Sequence, residues 1–475
     1  MKTKLTGAML FLTSFVVFAQ TPEQVYEKPL KEVLNDIQIR YGVKLVYEDK
    51  IIQNKTVSFA DWKLYNDVEA TLDNVLRPLD LRYTKKDGNL YELKAWEYFR
   101  KSDEEGRLSL EKLWISCPTL DKWETRKTEV KQNILEKMGL FPLPVRNPLN
   151  PIRSNFRTHD GYTAENVALE IVPGVYLSGT LYKPAKIAGK APAMLCPHGH
   201  FYNNVDKSIP NERGRYRPDQ QNRCAMLARM GVIVFSYDMF AWGESCLQVN
   251  AKEHRTGFAL TMQTWGSMRV IDFLLSMNEV DPSRIGITGA SGGGTQTFLA
   301  AALDERITLS VPTVMVSSHF YGGCPCESGL PIHQLDNGKL PTNNAEIAAL
   351  FAPKPLLVIS DGSDWTSTVP QIELPYLKKV YGLYGKSENV ENAHLAQEGH
   401  DYGFSKRIAM YDFVARHFGL NANRIKGKNG QFDESKVTIE PATEMYVFRT
   451  DNPFPKTAAQ GIEQIKAAFL KCKSK

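Results

Sequence analysis

The chain of 475 residues is 43% hydrophobic and 23% charged, with 33 glycines and 26 prolines, an ordinary globular composition that is too long for one average domain. Aromatic content of 10% and the lack of low-complexity tracts exclude a disordered chain, because enough apolar surface is available to offset the entropy of ordering. The formal charge of +5 is spread along the sequence and gives nucleic-acid binding no support.

Residues 1–19 read as a signal peptide: Lys2 and Lys4 precede an apolar run from Leu5 to Phe18, and Val17-Phe18-Ala19 offers compact residues for cleavage before Gln20. The run is shorter than the roughly 20 residues that a membrane span needs, so an exported protein with no membrane span is expected, periplasmic or secreted. Seven cysteines (Cys117, Cys196, Cys224, Cys246, Cys324, Cys326 and Cys472) are an odd number, so at least one stays unpaired in a monomer and a disulfide framework is not expected. Cys324-Pro325-Cys326 lacks the two-residue spacer of a zinc knuckle or redox pair.

Residues 24–94 have the pattern of a small α+β unit. A helix carrying Leu30, Val33, Leu34, Ile37 and Ile39 leads to a strand at Val43–Tyr47. A strand near Thr56, a helix over Val68–Leu76 and a hairpin turning on Asp87-Gly88 follow. The segments Lys28-Pro-Leu-Lys-Glu-Val-Leu, Tyr41-Gly-Val-Lys-Leu-Val-Tyr, Val57-Ser-Phe, Leu72-Asp-Asn-Val-Leu and Leu81-Arg-Tyr resemble the short N-terminal domain of secretins and TonB-dependent receptors. That resemblance implies the periplasm of a Gram-negative bacterium and a docking role toward a protein partner. An accessory domain that only packs on its neighbour is the alternative.

Residues 95–164 form a connecting strap, with a helix over Lys122–Lys137 and four prolines between Phe141 and Pro151 that forbid a helix there. Residues 165–420 begin with a hairpin and continue as apolar strands alternating with amphipathic helices. That alternation predicts an α/β fold with a mostly parallel sheet covered by helices on both faces. Residues 421–475 are a polar extension with one helical stretch, Ala459–Leu470, and no functional assignment.

Directly after the strand Arg284-Ile-Gly-Ile-Thr stands Gly289-Ala290-Ser291-Gly292-Gly293-Gly294, opening a helix. This G-x-S-x-G pattern between strand and helix is a nucleophile elbow, although a phosphate-cradling loop shares the glycines. A serine needs a base, most often histidine, held by a carboxylate. Of nine histidines, His400 alone lies in a loop between the last strand and the last helix, whereas His394 falls within a strand and His417 within a helix. The acid should follow the strand Pro355–Ser360, where Asp361 and Asp364 compete. Two backbone N–H groups should form the oxyanion hole: Gly292, after the nucleophile, and His200, in the turn Pro197-His198-Gly199-His200. His198 and His200 also have metal-ligand spacing, but no third ligand cluster accompanies them; neither a metal nor a cofactor is expected.

The segments Leu140-Phe-Pro-Leu-Pro-Val-Arg, Cys196-Pro-His-Gly-His, Tyr237-Asp-Met-Phe-Ala-Trp-Gly-Glu-Ser, Gly289-Ala-Ser-Gly-Gly-Gly-Thr-Gln-Thr, Gly322-Gly-Cys-Pro-Cys-Glu, Asp361-Gly-Ser-Asp-Trp-Thr and Gly399-His-Asp-Tyr-Gly resemble α/β-hydrolases of the acetyl xylan esterase and dienelactone hydrolase group. The resemblance implies a serine esterase whose acid is the Asp before Trp-Thr, which selects Asp364. It further implies a plant or algal polysaccharide or oligosaccharide as substrate, losing an O-acetyl group or a uronate methyl ester. Lys207, Arg213, Arg215, Arg217 and Arg223 follow His200, and a guanidinium such as that of Arg215 can bind a uronate carboxylate. Trp242 and Trp365 can stack on a sugar or pack in the core. The rivals are a peptidase of the prolyl oligopeptidase type, for which too few residues precede the hydrolase region, and a non-catalytic glycan-binding or docking protein.

Overall fold

The computed structural model describes residues 27–58, 60–76, 79, 81–95, 101–200, 214–320, 330–336 and 338–473. The expected signal peptide and its cleavage site, Lys207, Arg213, Cys324 and Cys326 lie outside the described residues. The chain divides into two compact units, one up to residue 97 and one from residue 98 onward.

In the first unit, helix α1 (Leu30–Tyr41) buries Leu30, Val33, Leu34 and Ile37 on one face and ends at Gly42, whose φ of 61° is the left-handed cap that glycine adopts without strain. Strands β1 (Glu27–Pro29) and β3 (Thr56–Ser58) pair with each other. The second sheet has the order β2-β5-β4, in which β4 (Leu81–Lys85) and β5 (Leu90–Ala95) form the expected hairpin and β2 (Lys44–Val46) runs parallel to β5. Helix α2 (Val68–Leu76) closes a core that includes Leu30, Leu34, Leu72, Leu76 and Tyr91.

The second unit is built on a nine-stranded sheet of order β14-β13-β12-β11-β9-β10-β8-β7-β6. Strands β6 (Ile152–His159), β7 (Tyr162–Val172) and β8 (Val175–Pro184) form an antiparallel meander, and β8 pairs antiparallel with β10 (Ile233–Tyr237). From there β9 (Ala191–Pro197), β10, β11 (Val280–Ala290), β12 (Leu309–Thr313), β13 (Leu356–Asp361) and β14 (Val390–Leu395) are all parallel. Alternation along the strands splits the core in two. Ala193 and Leu195 of β9 and Val358 of β13 face one cluster, while Met194, Cys196, Leu357 and Ile359 face the other. Two helices, Pro218–Met230 and Phe404–Phe418, cover the second cluster; Gly257–Leu275, Gly292–Leu303 and Glu373–Leu383 cover the first. The expected α/β-hydrolase sheet, covered on both faces, is present.

Three features differ from the sequence expectations. The boundary at residue 165 falls inside β7, and β6 begins within the presumed strap. A helix over Asp103–Ser116, closed by a capping box between Ser102 and Glu105, precedes the expected helix, which runs over Leu120–Lys137. The C-terminal extension is part of this unit: Ile465 and Phe469 of its last helix, Gly461–Lys473, join the same core as Leu140 and Leu169. Among the described residues no helix is long and apolar enough to cross a membrane.

Candidate active site

The carboxyl ends of the parallel strands are where such a sheet presents its loops to a ligand, and the expected site residues follow them. His200 follows β9, Trp242 follows β10, Ser291 follows β11, Asp364 follows β13 and His400 follows β14. Ser291 has φ 56° and ψ −124°, a conformation that a non-glycine residue holds only where its surroundings impose it. Those surroundings are tight. A Cβ at Gly289 would stand 2.5 Å from the Pro197 carbonyl oxygen and 2.7 Å from that of Gly293, so the turn admits no side chain there. The Ser291 N–H donates to the Thr313 carbonyl at 3.1 Å, which ties the turn to the end of β12. Gly292 is the first residue of the following helix, where backbone N–H groups have no intrahelical acceptor.

Asp364, not Asp361, meets the histidine. His400 Nδ1 lies 2.5 Å from Asp364 Oδ2. Because a carboxylate accepts, Nδ1 donates and the neutral ring carries its lone pair on Nε2, the tautomer a general base requires. The other Asp364 oxygen accepts from the Thr366 N–H and Oγ1, each at 2.6 Å. Asp361 shapes the loop instead: its Oδ1 accepts from the N–H groups of Ser363 at 3.0 Å and Asp364 at 3.1 Å. Burial, and then the nearby Asp364 charge, push its carboxyl above the usual carboxylate range.

Lys406 is fully buried below this loop. Its Nζ stands 3.3 Å from Asp361 and 2.8 Å from Asp401 and donates to the Gly399 carbonyl, so one ammonium joins the acid loop to both sides of His400. Trp365 lies flat on Phe320, with ring centroids 3.7 Å apart, and leans on the His400 ring at 4.6 Å.

The loop after β9 is held by its own histidines. His198 donates from Nδ1 to the Gly199 carbonyl at 3.0 Å and accepts the Met239 N–H on Nε2 at 3.0 Å, so both nitrogens are spent on backbone. Burial pushes the His198 pKa down to about 3, which keeps the ring in the neutral form that can accept that N–H. His200 brings its ring over the elbow: a Cβ at Gly292 would stand 2.9 Å from His200 Cε1. Trp242, half-buried, stacks on the His200 ring at 5.5 Å and meets His254 edge-on.

Arg215 requires a correction. It is fully buried and committed inside the protein, with Nε on Asp238 at 2.9 Å, Nη2 on Glu244 at 2.7 Å, and Nη1 on Thr180 Oγ1 and the Met445 carbonyl. It ties the C-terminal extension to the end of β10 and is not placed to bind a substrate carboxylate. Arg223 is likewise buried, over the Tyr402 ring at 4.2 Å, and Arg217 pairs with Asp219 at 2.7 Å. Among the described residues no group of three or more His, Cys, Asp or Glu side chains could hold a metal ion.

Sequence reasoning did not find His254, Phe320 or Lys406. His254 carries no motif and lies in a short 3₁₀ turn, Ala251–Arg255; Lys406 stood in view six positions after His400, but its burial is a tertiary fact.

The solved structure of Methylesterase BT1017 is 42% identical to this chain, superposes with a TM-score of 0.73, and is matched over 96% of this chain and 100% of its own length. The chain belongs to the family of Methylesterase BT1017. This esterase also matches the family model described as glucuronyl esterase, fungi, over residues 243–326, which spans the elbow. It is 26% identical over 206 residues to the 4-O-methyl-glucuronoyl methylesterase of Neurospora crassa, covering 37% of this chain and 51% of that protein. With the same-named enzyme 1 of Wolfiporia cocos it shares 24% identity over 279 residues, covering 50% of this chain and 60% of that one. The chain thus spans between half and two thirds of these curated relatives. The esterase is a carbohydrate ester hydrolase of the α/β-hydrolase fold. The family model that matches, over residues 243–326 alone, is described as glucuronyl esterase, whereas the sequence motifs resemble the acetyl xylan esterase and dienelactone hydrolase group.

Proposed function

We propose that the esterase removes the methyl ester of a uronate residue in a polysaccharide or oligosaccharide, through a Ser291-His400-Asp364 triad and an acyl-enzyme. The observation that carries the mechanism is Ser291 at its elbow, held in a strained positive-φ conformation at the end of a parallel sheet where His400 is oriented by Asp364. In this reading His400 takes the Ser291 proton as Oγ attacks the ester carbonyl carbon, then returns it to the departing methoxide, which leaves as methanol. Water repeats the cycle on the acyl-enzyme and releases the uronic acid. The amides of Gly292 and His200 stabilise the oxyanion in both halves. The methyl ester is favoured over O-acetyl because the structure matched over 96% of this chain and the curated relatives from Neurospora crassa and Wolfiporia cocos carry the name methylesterase. The same proposal includes export of the chain and a docking role for residues 24–94.

The test is methanol against acetate released from a panel of methyl-esterified and acetylated polysaccharides. Methanol is expected, and Ser291→Ala should lose on the order of 10⁶ in turnover. Acetate as the main product would overturn the substrate assignment, and a Ser291→Ala protein with more than a few per cent of activity would overturn the mechanism.

A further inference from the structure

The loop that offers the His200 amide is clamped from two directions by two consecutive residues after β10. His198 accepts the N–H of Met239, as described above. On the other side His254 Nδ1 lies 2.6 Å from the carbonyl oxygen of Phe240, and His254 Nε2 is hydrogen-bonded to His200 Nε2. The proton positions follow. A carbonyl only accepts, so His254 Nδ1 carries hydrogen; its Nε2 then holds the lone pair of the neutral ring, and His200 donates from Nε2. The two rings stand at 88° with centroids 4.5 Å apart, and Trp242 packs against both. His254 is buried, whereas His200 is half-buried and covers Gly292.

We infer that His254 is a positioning residue for the oxyanion hole: by accepting from His200 and donating to the Phe240 carbonyl, it locks the His200 ring over Gly292 and with it the peptide whose N–H faces the developing oxyanion. This rests on the triad reading above. The need for such a lock is local. Gly199 precedes His200 and imposes little conformational preference of its own, so the His200 amide direction depends on what holds the residues either side of Gly199. An oxyanion donor acts in the transition state far more than in the bound substrate, so a misaimed donor lowers kcat while leaving KM nearly alone.

The experiment is a double-mutant cycle in the full chain, measured on p-nitrophenyl acetate and on a methyl-esterified uronide. His254→Leu removes the hydrogen bonds to Phe240 and His200 at similar volume, and His254→Gln keeps an acceptor and a donor on one side chain. Removal of one oxyanion donor costs about 10²–10³ in kcat, and misaiming it should cost about tenfold or more. His254→Leu is therefore expected to lower kcat about tenfold or more with KM changed less than about threefold, and His254→Gln to recover most of the loss. His200→Ala combined with His254→Leu should be no worse than the poorer single variant, because the two act as one unit. An unchanged kcat in His254→Leu, losses that multiply, or a loss in KM alone would overturn the inference. So would a His254→Gln variant as impaired as His254→Leu when both melt at the parental temperature. Labelling of Ser291 by a fluorophosphonate separates the two readings: if Ser291→Ala still turns over, the triad fails and His254 is not at issue. A labelled, triad-dependent enzyme indifferent to His254→Leu refutes the lock alone.

Discussion

At the residue scale, the two aspartates of the loop after β13 have different work. Asp364 touches His400, and loss of the negative charge there leaves an amide that can stabilise the wrong tautomer; an Asp→Asn change of this kind costs on the order of 10⁴ in turnover. Asp364→Asn should therefore abolish most turnover with little loss of stability. Asp361→Asn should do the reverse. It weakens the buried partner of Lys406, and a melting temperature several degrees lower with turnover reduced far less is the expected result of calorimetry beside kinetics. Equal kinetic damage from both would refute this division. Two buried histidines weaken the fold toward acid. Burial lowers His198 from 6.5 to about 3 and His333 from 6.5 to about 4. The unfolded chain therefore binds protons that the folded one refuses once the pH falls below 6.5. Stability is whole above that pH and is lost toward the folded values, at about 1.4 kcal/mol per pH unit for each ring. Urea midpoints between pH 7 and 4.5 should fall accordingly, and less steeply in His333→Gln; an unchanged slope in that variant would refute the assignment.

At the scale of elements, the last helix is the piece whose importance is least visible beforehand. Gly461–Lys473 buries Ile465 and Phe469 in the main core, and Lys473 donates to the Gly139 carbonyl. Phe469→Ala should cost about 3–5 kcal/mol in a urea titration, the loss typical of a buried aromatic side chain; a cost below 1 kcal/mol would show the helix to be dispensable. The parallel strands were legible because apolar runs such as Leu356–Ile359 are buried on both faces and so need no alternation. Ile152–His159 was not, because an edge strand reading Ile-Arg-Ser-Asn-Phe-Arg-Thr-His carries polar residues on both sides, and the prolines before it suggested a strap. The placement of Ser291 and Gly292 at the turn from strand to helix, and of His400 in the loop after the last strand, was readable from glycine spacing and chain order. Arg215 was misread because a loop guanidinium looks the same in sequence whether it faces solvent or two buried carboxylates, and His254 had no neighbour in sequence to mark it.

For the whole molecule, the division at residue 97 has a functional corollary. Every residue proposed for chemistry lies in the second unit, and the described side chains that position them, from His198 to Lys406, lie there too. A chain beginning at residue 98 should keep its turnover on p-nitrophenyl acetate within about threefold, since the elements that hold the site rigid are all retained. A folded truncation slower by more than tenfold would show that the first unit completes the site. The second unit also closes on itself over a great length of chain: the Val145 N–H donates to the Cys472 carbonyl at 2.9 Å, and Lys473 reaches Gly139 across 334 positions. Its seam is therefore sewn late. While a ribosome is still delivering the middle of this sequence, the face of the sheet that awaits Ile465 and Phe469 stays open, and contacts of such separation also slow folding afterwards. A nascent chain in that condition is one that holding chaperones can still grip.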